Sequence, residues 1–177
     1  MPPSAPQPPS PHHGQPDAQP GKYLTFTLSG ESYGIPVLKV REIIRLCPIT
    51  PVATMPAHVR GVINLRGRVI PLIDLRLRLG LPAAEEHDRT CIVVAQVAAA
   101  GGGRRPYGVI VDGVDEVAQF TAADIEPAPD FGGAVDARFI TGMAKAGSGV
   151  KVLVNLDLIA AADRLPDMDP VAPAPAK

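Results

Sequence analysis

The sequence predicts a mainly β protein built from two related β-units in tandem, with a few short helices. Its strand signals are short apolar runs such as "YLTFTL", which alternates, and "VIPLIDL" and "CIVVAQV", which are nearly continuous. Glycine, proline and aspartate close these runs, and a weak repeat relates the two halves of the chain. Short strands with frequent turns favour small β-barrels over a parallel sheet.

The individual elements follow the same patterns along the chain. The predicted strands are Tyr23–Leu28, Val69–Leu75, Cys91–Val97, Tyr107–Val117 and Val150–Leu156. The segment Gly61–Gly80 is a β-turn-β unit with a helical tail, and its corner is Leu65-Arg66-Gly67. Helices are predicted at Val37–Ile44, where apolar residues recur at helical spacing, and at Leu156–Arg164. The glycine-rich run Ala98–Pro106 is expected to be a flexible hairpin tip.

The repeat consists of two correspondences between the halves. Tyr33-Gly34 precedes Glu42 at the same interval by which Tyr107-Gly108 precedes Glu116. Gly61 also precedes Asp74 by the interval that separates Gly142 from Asn155, each time through a glycine turn. Two related β-units are the simplest explanation of both matches.

The ends of the chain differ in composition from its middle. Residues 1–21 and 165–177 are rich in proline and poor in large apolar side chains, which predicts a disordered arm and a disordered tail. The folded part is then 22–164, with a first barrel at about 22–81 and a second at about 89–164. The polar segment Pro82–Arg89 forms the boundary, and a crossover of terminal strands between the barrels is left open.

Composition and charge exclude several classes of function. The formal net charge of −1 gives no general attraction to phosphates or acidic membranes. Cys47 and Cys91 lie among apolar residues outside any C-x-x-C motif, so we expect free thiols. The start "MPPSAPQPPSPHHG" is unlike a secretory signal, and "CIVVAQVAAA" is too short to span a bilayer. We therefore expect a soluble protein of the reducing cytoplasm.

No set of residues predicts catalysis, a cofactor or a metal site. The four histidines, His12, His13, His58 and His87, do not form a ligand set. Three acids crowd one strand-turn-strand segment: Asp112, Asp115 and Glu116. They have no plausible nucleophile nearby, and Asp112-Gly113 is itself a hairpin signal. An enzyme acting through these acids is the last-ranked hypothesis, and the protein is predicted not to be an enzyme.

Arginines dominate the β-turn-β unit and its tail, at Arg60, Arg66, Arg68, Arg76 and Arg78. Arg76 and Arg78 are interpreted as a solvated basic face. Arg66 differs because "NLRG" makes a tight corner, which presents the guanidinium on a stiff connection. Such a group suits bidentate pairing with a partner's carboxylate. The competing interpretation is that Arg66 ties the turn to an acid of its own barrel such as Asp74.

A nucleic-acid-binding barrel is the alternative function that the Arg60–Arg78 stripe suggests. With no tryptophan, three tyrosines and four phenylalanines, stacking platforms for bases would be hard to build. The near-neutral net charge argues against it as well, so a protein partner is preferred and no nucleic acid is predicted.

Five segments in order resemble the CheW family of bacterial chemotaxis coupling proteins. They are "YLTFTLSGESYGIPVLKVREI", "VRGVINLRGRVIPLIDLRLRLG", "YGVIVDGVDEV", "IEPAPDF" and "FITGMAKAGSGVKVLVNLDLI". The resemblance implies two SH3-like five-stranded β-barrels packed on a shared apolar seam. It also implies a non-catalytic adaptor that links the cytoplasmic tips of methyl-accepting chemoreceptors to the regulatory domain of the histidine kinase CheA. Such an adaptor is cytoplasmic, is recruited to receptor arrays at the inner membrane and does not insert into it.

The resemblance carries partner-binding positions onto Val40, Glu42, Gly61, Arg66 and Gly108. In this interpretation Val40 supplies apolar contact, Glu42 and Arg66 supply charge-assisted hydrogen bonds, and the glycines allow close backbone approach. Without the resemblance, Val40 would be interpreted as a core residue and Glu42 as a solvated charge on a helix. Both glycines would be interpreted as turn or bulge positions. Pro36 departs from the family, which usually has an acidic residue there, and its missing N–H predicts that its strand is short or ends at this point.

Overall fold

The computed structural model describes residues 18–99, 102–128, 137–147 and 149–163, without the side chains of residues 137 and 163. The predicted arm falls outside this part of the chain except for its last residues, and the predicted tail falls outside it entirely. Ala18 is buried and its N–H donates to the Thr141 carbonyl at 3.2 Å. The described chain therefore packs against the body of the protein from three residues before the first strand.

Short strands make up most of the described chain, which confirms the mainly β prediction. They are β1 (Gly21–Leu28), β2 (Glu31–Pro36), β3 (Val40–Arg45), β4 (Val59–Leu65), β5 (Arg68–Asp74), β6 (Cys91–Ala98), β7 (Arg104–Val111), β8 (Gly113–Phe120), β9 (Ile125–Glu126), β10 (Ile140–Ala146) and β11 (Gly149–Val154). The α-helices are α1 (Leu75–Arg78) and α2 (Leu156–Asp163), and 3-10 turns lie at Val37–Lys39 and Ala137–Phe139. β2 ends at Pro36, as predicted from the missing N–H.

The strands form two sheets. Sheet A has the order β8-β1-β2-β11-β10-β9, and sheet B has the order β3-β6-β7-β5-β4. In sheet B, Thr50 and Val62 exchange two backbone hydrogen bonds of 2.9 Å, which joins the chain after β3 to β4 and closes the sheet. In sheet A the consecutive strands β8 and β9 lie at opposite edges, and the short segment 121–124 joins them. We call the two sheets barrel A and barrel B.

Neither barrel is a continuous half of the chain. Barrel A combines β1 and β2 with β8 to β11, and barrel B contains β3 to β7. The sheets therefore do not divide at Pro82–Arg89, and barrel A has a sixth, two-residue strand, β9, beyond the five expected. The cause is four strand pairs that join the two halves of the chain: β1 pairs with β8 and β3 with β6 in antiparallel fashion, and β2 pairs with β11 and β5 with β7 in parallel.

The sequence repeat corresponds to these crossed pairs. Gly34 lies opposite Leu153 in one parallel pair, and Gly108 lies opposite Leu72 in the other. A methyl group on Gly34 would lie 3.0 Å from Leu153 Cδ2, and one on Gly108 would lie 2.9 Å from Leu72 Cδ1. Each glycine therefore makes room for a leucine supplied by the opposite repeat.

The second correspondence of the repeat marks the starts of the helices. The carboxylate of Asp74 accepts a hydrogen bond from the Leu77 N–H at 3.3 Å, at the N-terminus of α1. The side chain of Asn155 accepts one from the Leu158 N–H at 3.2 Å, at the N-terminus of α2. Both side chains satisfy a backbone donor that the helix leaves unpaired, which explains why the repeat keeps an Asp or Asn there.

The helix predicted at Val37–Ile44 is wrong. A single 3-10 turn covers Val37–Lys39, and the chain then continues as strand β3. Along β3 exposed residues alternate with half-buried ones, and Ile43 is an exposed residue of the outer face. The helix predicted near the C-terminus is confirmed as α2.

The main apolar core is shared by the two barrels. Barrel A contributes Phe26, Tyr33 and Ile35, and barrel B contributes Ile73, Val93 and Tyr107, all buried within one cluster. Smaller separate clusters fill the interior of each barrel. The shared cluster is the apolar seam that the family resemblance implied, and it holds surface sites on the two barrels in a fixed arrangement.

A polar network also joins the barrels. Arg76 of α1 donates from Nε to Asp112 Oδ1 at 2.7 Å and from Nη2 to Asp112 Oδ2. Asp112 Oδ2 accepts a further hydrogen bond from the Ser29 N–H at 2.8 Å, in the turn between β1 and β2. The Arg76 side chain is only 16% exposed, so the interpretation of this residue as part of a solvated basic face is wrong. It instead links α1 to two turns.

This network predicts an acid-sensitive contribution to stability. Burial alone raises the pKa of Asp112, but hydrogen bonds from Arg76 and Ser29 outweigh burial and bring the pKa below its ordinary value. Because the folded-state pKa is the lower one, the ionised group stabilises the fold above about pH 4, and that stabilisation is lost as the pH falls further. We expect Asp112→Asn to be less stable at neutral pH and to lose less stability on acidification, as measured by urea unfolding.

The matched control for Asp112→Asn is Asp88→Asn, which changes an exposed aspartate in the connection before β6. This variant should keep the wild-type unfolding free energy at neutral pH, because an exposed surface substitution changes stability little. Parallel curves for wild type and Asp112→Asn would show that the network contributes nothing to acid sensitivity.

Candidate functional site

The corner of the β4–β5 hairpin is a two-residue turn. Leu65 pairs with Arg68, and the residues between them, Arg66 and Gly67, have φ angles of 51° and 84°. Positive φ at both positions defines the type I′ turn that matches the twist of antiparallel strands. Asn64 Oδ1 accepts a hydrogen bond from the Gly67 N–H at 2.9 Å and fixes the corner.

Arg66 occupies a backbone conformation that is unfavourable for residues other than glycine. Left-handed φ is common for glycine and costs free energy for other L-residues. The corresponding hairpin between β10 and β11 has Gly147 in its turn, with a φ of 59°. A strained non-glycine residue on an exposed turn points to a role for its side chain.

The Arg66 side chain forms a bidentate ion pair with Glu42 of β3. Nη1 donates to Oε1 at 2.7 Å, and Nη2 donates to Oε2 at 2.8 Å. The arginine side chain is 75% exposed and the glutamate 25% exposed. The hydrogen bonds that Arg66 donates to the Glu42 carboxylate raise the pKa of Arg66 above its ordinary value. The structure thus brings together two of the predicted site residues, and the acid that Arg66 meets is Glu42 rather than Asp74.

The two predicted glycines lie inside barrel B. Gly61 is buried at a β-bulge with a φ of 140°, and a methyl group there would lie 2.1 Å from the carbonyl oxygen of Thr50. Gly108 is buried opposite Leu72. Neither glycine has an exposed backbone for a partner to approach, so their lack of a side chain serves contacts within the barrel.

Val40 is half-buried and packs against the shared core at the start of β3. The more accessible apolar residue is Leu38, which is 90% exposed on the preceding 3-10 turn. Leu38 borders a groove of about 460 Å³ whose walls are mainly apolar and include Ala18, Ile35 and Leu156. Leu38 was not identified as a site residue from the sequence, because the predicted helix placed it outside the apolar face.

Other basic residues of the Arg60–Arg78 stripe are engaged within the protein. Arg60 Nη2 donates to Glu86 Oε1 at 3.0 Å, and the Arg78 guanidinium lies 4.6 Å from the ring centroid of Phe139. Arg66 and Arg76 are also paired to carboxylates, and among the described residues no acidic side chain lies within ion-pairing distance of Arg68. The stripe is therefore not a row of free cations for phosphates.

The three acids of the enzyme hypothesis all form hydrogen bonds within the fold. Asp112 belongs to the Arg76 network, and Asp115 accepts from Thr27 Oγ1 at 3.0 Å. The backbone of Glu116 exchanges hydrogen bonds with Thr25 Oγ1. Within the described ranges, no three or more His, Cys, Asp or Glu residues converge as a metal site would require, and no helix has the length and apolarity to cross a membrane.

Comparisons with known proteins converge on one family. The model of the CheW-like domain matches residues 22–165. The chemotaxis protein CheW of Klebsiella aerogenes is 34% identical over 151 residues, which cover 85% of this chain and 88% of that protein. CheW of Rhizobium meliloti is 36% identical over 136 residues, covering 77% and 84% respectively. The crystal structure of the scaffolding protein TtCheW from Thermoanaerobacter tengcongensis matches with a TM-score of 0.71 at 31% identity, over 80% of this chain and 92% of that one.

Proposed function

The chain belongs to the CheW-like domain family, and from this we propose that it is a non-catalytic adaptor coupling methyl-accepting chemoreceptors to the histidine kinase CheA. The observation that carries the proposal is the exposed Arg66–Glu42 pair on a strained turn. An exposed ion pair contributes little to folding stability. The unfavourable backbone conformation of Arg66 is therefore better explained by a role of its side chain in binding a partner. We propose that the protein acts in the cytoplasm, at receptor arrays on the inner membrane.

The predicted site residues take different roles in this proposal. Arg66 and Glu42 form the polar part of the partner surface, with Val40 as half-buried apolar support beside them. Gly61 and Gly108 act from inside barrel B, where they allow the β4–β5 hairpin to approach Thr50 and Leu72 to approach β7. The glycines thereby set the position of the turn that presents Arg66.

The kinase and the receptor are the partners to test first. Purified protein is mixed with CheA and with receptor cytoplasmic fragments assembled on vesicles, and CheA autophosphorylation is followed with labelled ATP. We expect the complete mixture to phosphorylate CheA faster than the mixture lacking this protein. Sedimentation of the vesicles should carry the protein down with the receptor fragments, which measures assembly independently of kinase activity.

The control for the assembly is Arg45→Glu, which reverses an exposed arginine on β3 that does not line the Arg66 region. This variant should support CheA autophosphorylation as the wild type does. If the folded wild-type protein neither sedimented with the receptor fragments nor bound the isolated regulatory domain, the coupling function would be refuted. Retention of a labelled oligonucleotide under the same conditions would instead favour the nucleic-acid alternative.

A further inference from the structure

A small cavity adjoins the Arg66–Glu42 pair at the end of barrel B. Its volume is about 210 Å³, and it is bordered by β3, the β4–β5 hairpin, β6 and β7. The residues that line it are Arg41, Glu42, Leu65, Arg66, Arg68, Ile70, Val94, Gln96 and Pro106. Three arginines and one carboxylate therefore face a single space, and the formal charge of its lining is positive.

The three arginines are not equivalent. Both carboxylate oxygens of Glu42 are occupied by Arg66, so Glu42 neutralises that guanidinium. Arg41 precedes Glu42 on β3 and Arg68 starts β5, and both are exposed. In the described part of the chain neither has an acidic side chain within ion-pairing distance. The positive charge of the cavity is thus carried by Arg41 and Arg68.

Apart from Gln96, the rest of the cavity lining is aliphatic. Leu65, Ile70, Val94 and Pro106 form its walls, with Ile70 and Val94 buried in the barrel. No aromatic ring lines it, so a nucleic-acid base would find no stacking surface. Its volume is below that of ordinary small-molecule sites and is sufficient for one protein side chain. Positive charge over aliphatic walls complements a carboxylate at the end of a short aliphatic stem.

We propose that Arg41 and Arg68 bind the carboxylate of an aspartate or glutamate carried by an amphipathic, acidic segment of a protein partner. The assignment rests on the proposed function for the identity of that partner, a receptor tip or the kinase regulatory domain. Each guanidinium offers several N–H donors in a plane, which matches the two oxygens of a carboxylate. The Arg66–Glu42 pair forms one wall of the site and holds the hairpin that carries Arg68 against β3.

The test compares the wild type with the double variant Arg41→Gln/Arg68→Gln. Glutamine keeps a polar side chain but removes the charge, so the barrel should fold and melt as the wild type does. Affinities for purified receptor cytoplasmic fragment and for the CheA regulatory domain are measured by titration at low and at physiological salt. We expect binding to at least one partner to weaken by about tenfold to a hundredfold, since each charged hydrogen-bonding group contributes roughly one factor of ten. The remaining affinity should depend less on salt.

The control is Arg45→Gln on the same strand, which should bind both partners with wild-type affinity. If wild type binds one or both partners and the folded double variant binds each of these equally well, the proposed roles of Arg41 and Arg68 are refuted while the coupling function stands. If wild type binds neither partner, the coupling function and the acidic-segment site fail together. If a labelled oligothymidylate binds the wild type, the double variant loses it and protein partners do not bind, the cavity is a nucleic-acid site and the proposal is overturned.

Discussion

Replacing Gly61 by alanine is expected to destabilise the protein by more than about 4 kcal/mol, a large share of the total stability of a domain of this size. The added methyl group would lie 2.1 Å from the Thr50 carbonyl oxygen, which is backbone and cannot rotate away. The φ of 140° is also in a region that side chains rarely adopt. Both effects act where Thr50 and Val62 close barrel B. Urea unfolding followed by far-UV circular dichroism measures the loss.

Gly67→Ala is the matched control for Gly61→Ala. Gly67 also has a positive φ, of 84°, but nothing lies within 4 Å of a methyl group built on it. Gly67→Ala should therefore destabilise the protein only through the unfavourable backbone conformation, by about 1–2 kcal/mol. Equal losses in the two variants would show that backbone conformation alone is responsible, and that the contact with Thr50 is not what requires glycine at position 61.

The repeat in the sequence predicted matching strands but not how the two halves pair. Tyr33-Gly34 and Tyr107-Gly108 mark equivalent strands, and both tyrosines are fully buried. The same local pattern is compatible with separate barrels and with crossed ones, because alternation specifies which face of a strand is buried and not which strand lies beside it. The crossing is visible only in the strand pairing, where β1 pairs with β8, β3 with β6, and each repeat glycine lies opposite a leucine from the other repeat.

The failed helix prediction has a similar origin. In "VLKVREII" the apolar residues satisfy a helical spacing, yet a short run of this kind also fits a strand. The structure makes β3 a strand whose half-buried positions include Val40 and Glu42, with Arg41 between them on the exposed side. The register of β3 against β6 shifts between Val40 and Glu42, and Arg41 and Glu42 both line the cavity, which a helical interpretation could not indicate.

The candidate site was predicted in part. The turn residues of "NLRG" predicted a stiff corner with an exposed arginine, and the structure shows that corner. The partner of Arg66 could not be identified by proximity in the sequence, because Glu42 lies 24 residues away and is brought to the turn by barrel closure. Asp74 was the nearer acid in sequence, but it caps α1 instead.

Reversing Arg66 to glutamate is expected to weaken partner binding by about tenfold or more while changing the melting temperature by only a few degrees. The ion pair with Glu42 is exposed, so its loss should affect folding little. Binding should suffer more, since a glutamate at position 66 would repel Glu42 and would compete with the partner's carboxylate for Arg41 and Arg68. Thermal unfolding and titration against each partner measure the two effects separately.

The double variant Glu42→Arg/Arg66→Glu distinguishes a partner-binding role from a purely internal one. Exchanging the two residues restores an ion pair between β3 and the turn, so any melting defect of the single variants should be repaired. If Arg66 only ties the turn to β3, partner binding should be restored with the melting temperature. If the charge at position 66 faces the partner, binding should stay weak in a protein that melts normally. We expect the second result, because the Arg66 side chain is 75% exposed and lines the cavity, where the exchange would place a negative charge.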